Sequence, residues 1–279
     1  ADSLRTSWHP DQPFLTPALV ASGSFSQLWS TAIDGQVYAE PLYANGILFV
    51  ATETNWIYGL DPDTGAIVWS RQVHPAWNAA DLGCGDLTPN IGITGTPVID
   101  DATQTAYFVS KTYASGTSGP PAFFFHAVDV SNGSERRGFP VPIQGTAQNS
   151  SKATFDPLHT HQRPGLLLMD GVVYAGFGSH CDYGPWLGWI VGVTTSGQVK
   201  AFWTTKVSGP NGASVWAAGN GLVSDGSGRI FFATGNGGAP KTAGPGNQPP
   251  GDLGECVVRV QVQGDGTVKA VDYFAPYNA

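Results

Sequence analysis

The sequence predicts an all-β chain, a β-propeller of four-stranded antiparallel blades, and three observations predict it. First, 37 glycines and 21 prolines, 58 of 279 residues, break any long helical pattern without forming a Gly-X-Y period. Second, short runs rich in Val, Ile, Phe and Tyr are separated by turn dipeptides such as Asn45-Gly46 and Asn132-Gly133. Third, one order of four such runs recurs four times, every 55 to 70 residues, with a small-residue inner run and an aromatic outer one. A β-sandwich also uses short strands and frequent turns, but nothing in it requires this repeat.

The predicted layout is an N-terminal extension over 1–25 and a propeller over 26–279. Blade 1 (37–73) has runs at 40–46, 47–52, 56–61 and 66–70, the last two separated by Pro62-Asp63-Thr64-Gly65. Blade 2 (94–144) repeats the order at 96–100, 105–110, 123–129 and 138–141. Blade 3 (162–207) does so at 163–169, 172–177, 187–193 and 199–203, and blade 4 (217–279) at 219–224, 229–234, 256–262 and 267–273. Before them, 26–36 is expected to be a blade-closing strand, because Gln27-Leu-Trp-Ser-Thr-Ala32 matches the outer run Ile67-Val-Trp-Ser-Arg71. Blade 4 has its own outer run, so the 26–36 strand lacks three partners, and an unpaired edge is a liability. The expectation is that four blades of a larger six- to eight-bladed ring are present here, with C-terminal blades or a second fragment missing; the alternative is a closed four-bladed ring.

Composition narrows the partners. Thirteen basic against 21 acidic residues give a net charge of -8, the wrong sign for gripping a phosphate backbone, so nucleic acid is not expected. No apolar run approaches the 18 or so residues of a membrane span. The start at Ala1-Asp2-Ser3, without a basic and apolar leader, and the nine tryptophans and single Met169 read as a mature secreted, extracellular chain. Three cysteines suit one bridge and one buried thiol rather than a four-ligand zinc site. Asn132-Gly-Ser and Asn149-Ser-Ser are sequons of low specificity.

In blade 1, Gly59-Leu-Asp61-Pro-Asp-Thr64-Gly65-Ala-Ile-Val-Trp69 resembles the tryptophan-docking motif of PQQ-type quinoprotein propellers, Ala-x-Asp-x-x-Thr-Gly-x-x-x-Trp, with Gly59 in place of Ala. Blade 2 keeps Ala127, Asp129 and Gly133 but has Asn132 for Thr and Arg137 for Trp, and the last two blades are more degenerate. The motif is architectural: Asp61 and Thr64 close the turn, Gly65 takes a positive φ, and Trp69 packs between blades. Over its whole length the chain resembles secreted bacterial PQQ-like repeat proteins, through stretches such as Ile93-Thr-Gly-Thr-Pro-Val-Ile-Asp100 and Phe177-Gly-Ser-His-Cys-Asp182. That resemblance implies fold and location more than chemistry.

In an antiparallel meander the loops after the second strand and those between blades share one side. Here these are the long ones, at 74–93, 112–122, 145–162, 178–186, 206–218 and 235–255, which marks the binding face. Cys84 and Cys181 both fall on it and are expected to bridge blades 1 and 3, with Cys181–Cys256 as the alternative. The same face carries Glu40, Glu53, Asn55, His74, Lys111, His159, His161, Arg163, His180, Asp182, Trp216 and Asn236. Arg163 is expected near the axis, either free to pair a ligand carboxylate or tied to Glu40 or Glu53. His159 and His161, two apart on extended chain, should point the same way, as a metal pair, a base or ordinary loop residues. Asp61 and Asp63 are read as turn formers, because the EF-hand spacing is absent.

Three functions compete. The first is a glycan-binding propeller, with polysaccharide-lyase activity as its catalytic form: Trp56, Trp77, Trp186, Trp189 and Trp216 lie in or beside the long loops, Arg163 would neutralise a uronate, and His161 or His180 would take the α proton, with Glu40, Glu53, Asn55, His159, Asp182 and Trp216 contacting the ligand. The second, implied by the resemblance, is a PQQ-dependent dehydrogenase with calcium, although the adjacent cysteine pair of such enzymes is absent. The third is a non-catalytic scaffold or adhesion module. No metal ligand set is expected, and no cofactor other than PQQ with calcium enters.

Overall fold

The computed structural model describes residues 3–6, 12, 14–217, 219–237, 240 and 247–276; parts of the 1–25 extension and of the 206–218 and 235–255 loops lie outside the described residues. The order of elements is that of a propeller. In blade 1, β1 (Leu42–Ala44), β2 (Ile47–Ala51), β3 (Trp56–Leu60) and β4 (Ile67–Gln72) pair antiparallel in sequence order. Asn45 (φ 48°) and Gly46 (φ 76°) both take the left-handed conformation that a two-residue hairpin needs between β1 and β2. Blade 2 has β5 (Val98–Asp100), β6 (Thr105–Tyr113), β7 (Pro121–Asp129) and β8 (Val141–Ile143) in the same meander. Blade 3 has β9 (Leu167–Met169), β10 (Val172–Ser179), β11 (Trp189–Thr194) and β12 (Val199–Thr204).

Blade 4 departs from the expected pattern. It has three strands, β13 (Arg229–Ala233), β14 (Val257–Val262) and β15 (Val268–Phe274), and its inner run is reduced to the single bridge Val223↔Phe231. The inner backbone has other partners. Ser224 N–H donates to the Ser3 carbonyl at 2.8 Å, Leu222 N–H to Gly165, and the Arg5 Nε to the Leu222 carbonyl at 3.0 Å.

Strand alternation sends each blade's two faces to two different neighbours, and the cores lie between blades. Phe49, Ala51 and Ile57 of blade 1 pack on Ala106, Phe108 and Val128 of blade 2. The alternate residues Tyr107, Val109, Phe123 and Phe125 pack on Val173, Ala175, Phe177 and Trp189 of blade 3. Leu167, Tyr174, Ile190 and Trp203 then meet Ile230, Phe232, Val258 and Val260 of blade 4.

The docking motif acts between consecutive blades. Asp61 Oδ1 accepts from the Thr64 N–H and Oγ1, both at 2.8 Å, so Asp61 is the turn former expected. Trp69 reaches forward: its Nε1 donates to the Val130 carbonyl at 3.0 Å, and a Cβ on Gly133 would lie 2.7 Å from the indole. Gly59 stands where the motif has Ala for a local reason, since a Cβ there would lie 2.2 Å from Trp69 Nε1. Trp69→Ala is expected to lower stability by about 3 kcal/mol, because a large contact between two blades is lost. Urea unfolding checks this, and a loss under about 1 kcal/mol would show that the blades are held otherwise.

Residues 26–36 do not form the expected strand: they make no β-ladder. They nevertheless sit where an outer strand would. Trp29 Nε1 donates to the Pro62 carbonyl at 2.9 Å, and a Cβ on Gly65 would meet its indole at 2.4 Å. Trp29 therefore docks on blade 1 as Trp69 docks on blade 2, and with Ile33 it covers Val50, Tyr58 and Leu60 on the free face of blade 1. With no β2–β3-like neighbours beside it, the segment has no ladder partner to make it a strand.

Candidate functional site

The long loops gather at one end of blades 1 to 3, and two arrangements form there. The first is a packed polar cluster. Lys111, in the middle of β6, is fully buried; its Nζ donates to the Leu158 and Thr160 carbonyls at 3.3 and 3.0 Å and lies 4.2 Å above the Trp77 ring. Burial pulls this ammonium down to about 7, partly offset by the charge of Asp156. Asn55, in the left-handed conformation at φ 59°, donates to the Lys111 carbonyl at 2.8 Å. Glu53 accepts from the Gly92 N–H at 2.7 Å, and burial raises its carboxyl to about 7 against the pull of Gly92, Thr94 and Arg163.

The histidines of blade 3 divide. Thr160–His161 pairs with Gly178 and Ser179 of β10, which turns His161 inward; it is 3% exposed, and neither ring nitrogen has a hydrogen-bond partner. His159 holds Asp156 Oδ2 at 2.7 Å through Nδ1, so of the two histidines one is engaged by a carboxylate and the other has no partner. The reason is local: residue 161 belongs to a strand and residue 159 to the loop before it. His180 lies beside His161, with ring centroids 5.8 Å apart, and its Nε2 is 3.7 Å from Cys84 Sγ. Burial holds His161 well below the usual imidazole range, reinforced by Lys111, and holds His180 at about 4.

Cys84 and Cys181 are bridged, Cα to Cα 6.4 Å, and Cys256 is the buried free thiol, its pKa pushed up to about 11 by burial and Glu255. Arg163 forms no ion pair with Glu40 or Glu53 among the described residues; its guanidinium lies 5.6 Å from the Tyr38 ring. The place between the inner edges of blades 3 and 4 is taken instead by Arg5, which donates to the Leu166 and Leu222 carbonyls at 2.6 and 3.0 Å. Glu40 is exposed and meets Thr96 Oγ1 only through its backbone N–H. Asp182 accepts from Ser179 Oγ and from Asn236 Nδ2, and Trp216 is partly exposed over Gly235.

The second arrangement is a pair of cavities on the same face. One, of about 360 Å³, is lined by Lys152, Thr154, Asp156, Trp186 and Lys206 among others. The other, of about 470 Å³, is lined by Trp77, Asp81, Pro120, Asp156 and Leu158. Asp156 belongs to both. Lys206 is also held by Asp252 at 3.1 Å, which keeps its ammonium at the cavity edge. Of these, only Trp77 and Trp186 stand out in the sequence; Asp156, Lys152 and Lys206 carry no motif, and their one signal is their place in the 145–162 and 206–218 loops.

A third cluster, between blades 1 and 2, is absent from the sequence reading. Ser110 Oγ, His126 and Glu135 are linked at 3.0 and 3.1 Å, and Arg71 joins Glu135 at 3.3 Å. Burial alone would raise the Glu135 carboxyl, but its bonds to His126 and the Ala127 N–H and the charge of Arg71 hold it lower. Ser110 is wholly buried, so the cluster joins blades rather than meeting a substrate.

Comparison with known proteins follows this geometry. The family described as outer membrane protein assembly factor BamB (PQQ_2) matches residues 16–241. Among solved structures, the quinohemoprotein alcohol dehydrogenase ADHIIG of Pseudomonas putida HK5 is similar, with 13% identity over 88% of this chain and 35% of its own and a TM-score of 0.58. The quinohemoprotein alcohol dehydrogenase of Comamonas testosteroni gives 14% identity over 86% and 35%, with a TM-score of 0.56. BamB of Moraxella catarrhalis gives 16% identity over 89% and 67%, with a TM-score of 0.40. The chain thus spans about a third of the length of the two dehydrogenases, and these likenesses concern the fold. No curated protein matches.

Proposed function

Because the chain belongs to the PQQ-repeat family described as outer membrane protein assembly factor BamB, we propose that it is an extracellular ligand-binding propeller whose long-loop face holds a glycan. The observation that carries this reading is the pair of cavities meeting at Asp156, one beside Trp186 and one beside Trp77. Aromatic walls suit the C–H faces of sugar rings, a carboxylate accepts from two adjacent hydroxyls, and Lys152 and Lys206 donate to ring and carboxylate oxygens. Binding is favoured over bond cleavage. His161 and His180, the expected lyase bases, are buried in the packed cluster, and neither they nor Arg163 line either of these two cavities. The disulfide supports an oxidising compartment.

The dehydrogenase reading fares less well on its donor set. Calcium takes six to eight oxygens, whereas among the described residues the one converging group of three or more acidic, His or Cys side chains is Cys84, His180 and Cys181. Glu53 Oε2 accepts from the Gly92 N–H and Asn55 Nδ2 donates to the Pro75 and Lys111 carbonyls, while Glu53 Oε1 and Asn55 Oδ1 are buried without a hydrogen-bond partner; a Cβ on Gly92 or Gly95 would already meet Asn55 or Gln162. Two free side-chain oxygens fall short of the six to eight that calcium takes, so these residues do not by themselves make a calcium site and no chemistry is assigned through a quinone with calcium. The placement of Trp29 supports a larger ring, with a further blade before blade 1 supplied by chain outside these residues or by a second chain.

Titration of the intrinsic tryptophan fluorescence with neutral and uronate-bearing oligosaccharides tests the glycan reading. Asp156→Ala and Trp186→Ala are expected to weaken binding at least tenfold, about 1.4 kcal/mol. Absence of any saccharide response, or affinity indifferent to Asp156→Ala, would leave the scaffold reading in its place.

A further inference from the structure

Beyond the cavities, the polar cluster gathers metal-ligating groups around the disulfide, and three of its ring nitrogens have no partner. Cys84 Sγ, Cys181 Sγ and a ring nitrogen of His180 lie within 4.8 Å of one another. His180 Nδ1 has no hydrogen-bond partner, and neither does either nitrogen of His161, whose side chain is 3% exposed and lies against the His180 ring. Buried polar atoms without partners are uncommon, and each calls for a ligand or a reason. Two sulfurs and two imidazoles are also the donor set of tetrahedral zinc.

We propose that reduction of the Cys84–Cys181 bridge converts this corner into a zinc site, with Cys84, Cys181 and His180 as ligands and His161 closing the fourth position. The chemistry balances with a dithiol as reductant: two electrons pass from the dithiol to the disulfide, giving two cysteine thiols and the oxidised dithiol. Zinc then displaces one proton from each thiol, and two thiolates neutralise its charge. That neutrality matters here, because Lys111 stands in the same cluster and would oppose any net positive site. The loops can supply the movement. Tetrahedral zinc thiolates lie roughly 3.8 Å apart from the ordinary zinc–sulfur length, so the two sulfurs must separate on reduction. Cys84 stands between Gly83 and Gly85, around which an added Cβ would meet nothing within 4 Å, and Cys181 stands in an exposed-edge turn at φ 56°. His161 lies outside the group whose ligand atoms converge within 4.8 Å, so its ring must move in to reach the fourth position, and no hydrogen bond holds it back.

This site does not depend on the glycan reading. Its test uses the Cys256→Ser chain, which leaves only the two bridge cysteines, with inorganic Zn²⁺ and with Co²⁺ as the coloured substitute. After reduction and removal of the reductant, one Co²⁺ per chain is expected to give the visible bands of a tetrahedral site and near-ultraviolet thiolate charge transfer. Binding of either metal to the reduced chain should release two protons, and Zn²⁺ should then displace Co²⁺ with no further proton release, while the oxidised chain gives no such spectrum. His180→Ala should weaken binding at least a hundredfold and His161→Ala at least tenfold. Both variants can be purified with the bridge intact and their fold verified by circular dichroism before reduction. A reduced chain that loosens without metal should regain its near-ultraviolet dichroism when Zn²⁺ is added. A reduced chain that gives no tetrahedral spectrum overturns the proposal. So does a spectrum that survives the His161→Ala, His180→Ala double substitution, because two free thiols would then suffice.

Discussion

Acidifying the oxidised chain from pH 7 to pH 4 is expected to cost it several kcal/mol of stability, with most of the loss between pH 6.5 and 4. The cause is three imidazoles that the fold keeps neutral. His180 is held at about 4 against 6.5 in the open chain, first by burial and then by Lys111. Between these values the unfolded chain binds a proton that the folded site refuses, so stability falls as pH falls, by about 3 kcal/mol at most before solvent screening. His74 is held at about 4 by burial and by His126, and His161 lies well below 6.5, so both act in the same direction. Glu53 opposes them: its carboxyl, raised from 4.5 to about 7 by burial, keeps its proton in the folded state, so its contribution is full below 4.5 and lost as pH rises through 7. Three groups against one leave a net acid weakness. On the alkaline side Lys111, lowered from 10.5 to about 7, adds stability as pH rises between those values. Urea midpoints at pH 4.5, 7 and 9 should therefore increase in that order, and His180→Gln should flatten the acid limb. A profile with its maximum near pH 5 would show that the cluster titrates differently.

Breaking the Cys84–Cys181 bridge in metal-free buffer should cost a comparable amount. It closes a loop with a sequence separation of 97 residues and ties the long loop after blade 1 to the turn that follows β10 in blade 3. Chain entropy for a loop of that size gives roughly 4 to 5 kcal/mol, a large share of the stability of an ordinary domain. Chemical denaturation of the Cys84→Ser, Cys181→Ser double variant against Cys256→Ser measures it. Cys256 lies apart from the bridge, with its thiol directed at the Gly254 carbonyl, so Cys256→Ser reports the cost of losing a single buried sulfur. A difference below about 1 kcal/mol between the two would mean that blade packing alone holds the loops together.

The strands were legible because their signal is local. β1 to β12 fall on apolar runs bounded by turn residues, and the docking motif announced both the Asp61 turn and the place of Trp69. The disulfide was legible for a related reason: a meander puts the loops holding Cys84 and Cys181 on one side before any coordinate is known. The blade 4 inner run failed because its hydrogen-bonding groups were claimed by Ser3, Arg5 and Gly165, which are distant in sequence. Trp29 shows both limits at once, since its docking role could be read from its neighbours in the chain but its lack of a strand partner could not.

The site divides along the same line. By itself the sequence determined the repeat, the loop face and the residue types on that face. Only the tertiary structure decided that Lys111, Ser110 and His126 are interior, that Asp156 holds His159 while His161 is left without a partner, that Arg5 rather than Arg163 enters between the inner edges, and that Asp156 joins two cavities. The physical reason lies in the sheets. Alternation along β6 reveals two faces, but every residue from Thr105 to Tyr113 is buried, because blades 1 and 3 cover both faces. Which polar side chains then find carbonyls, rings or nothing opposite them depends on the neighbouring blade, and no spacing within one strand encodes that.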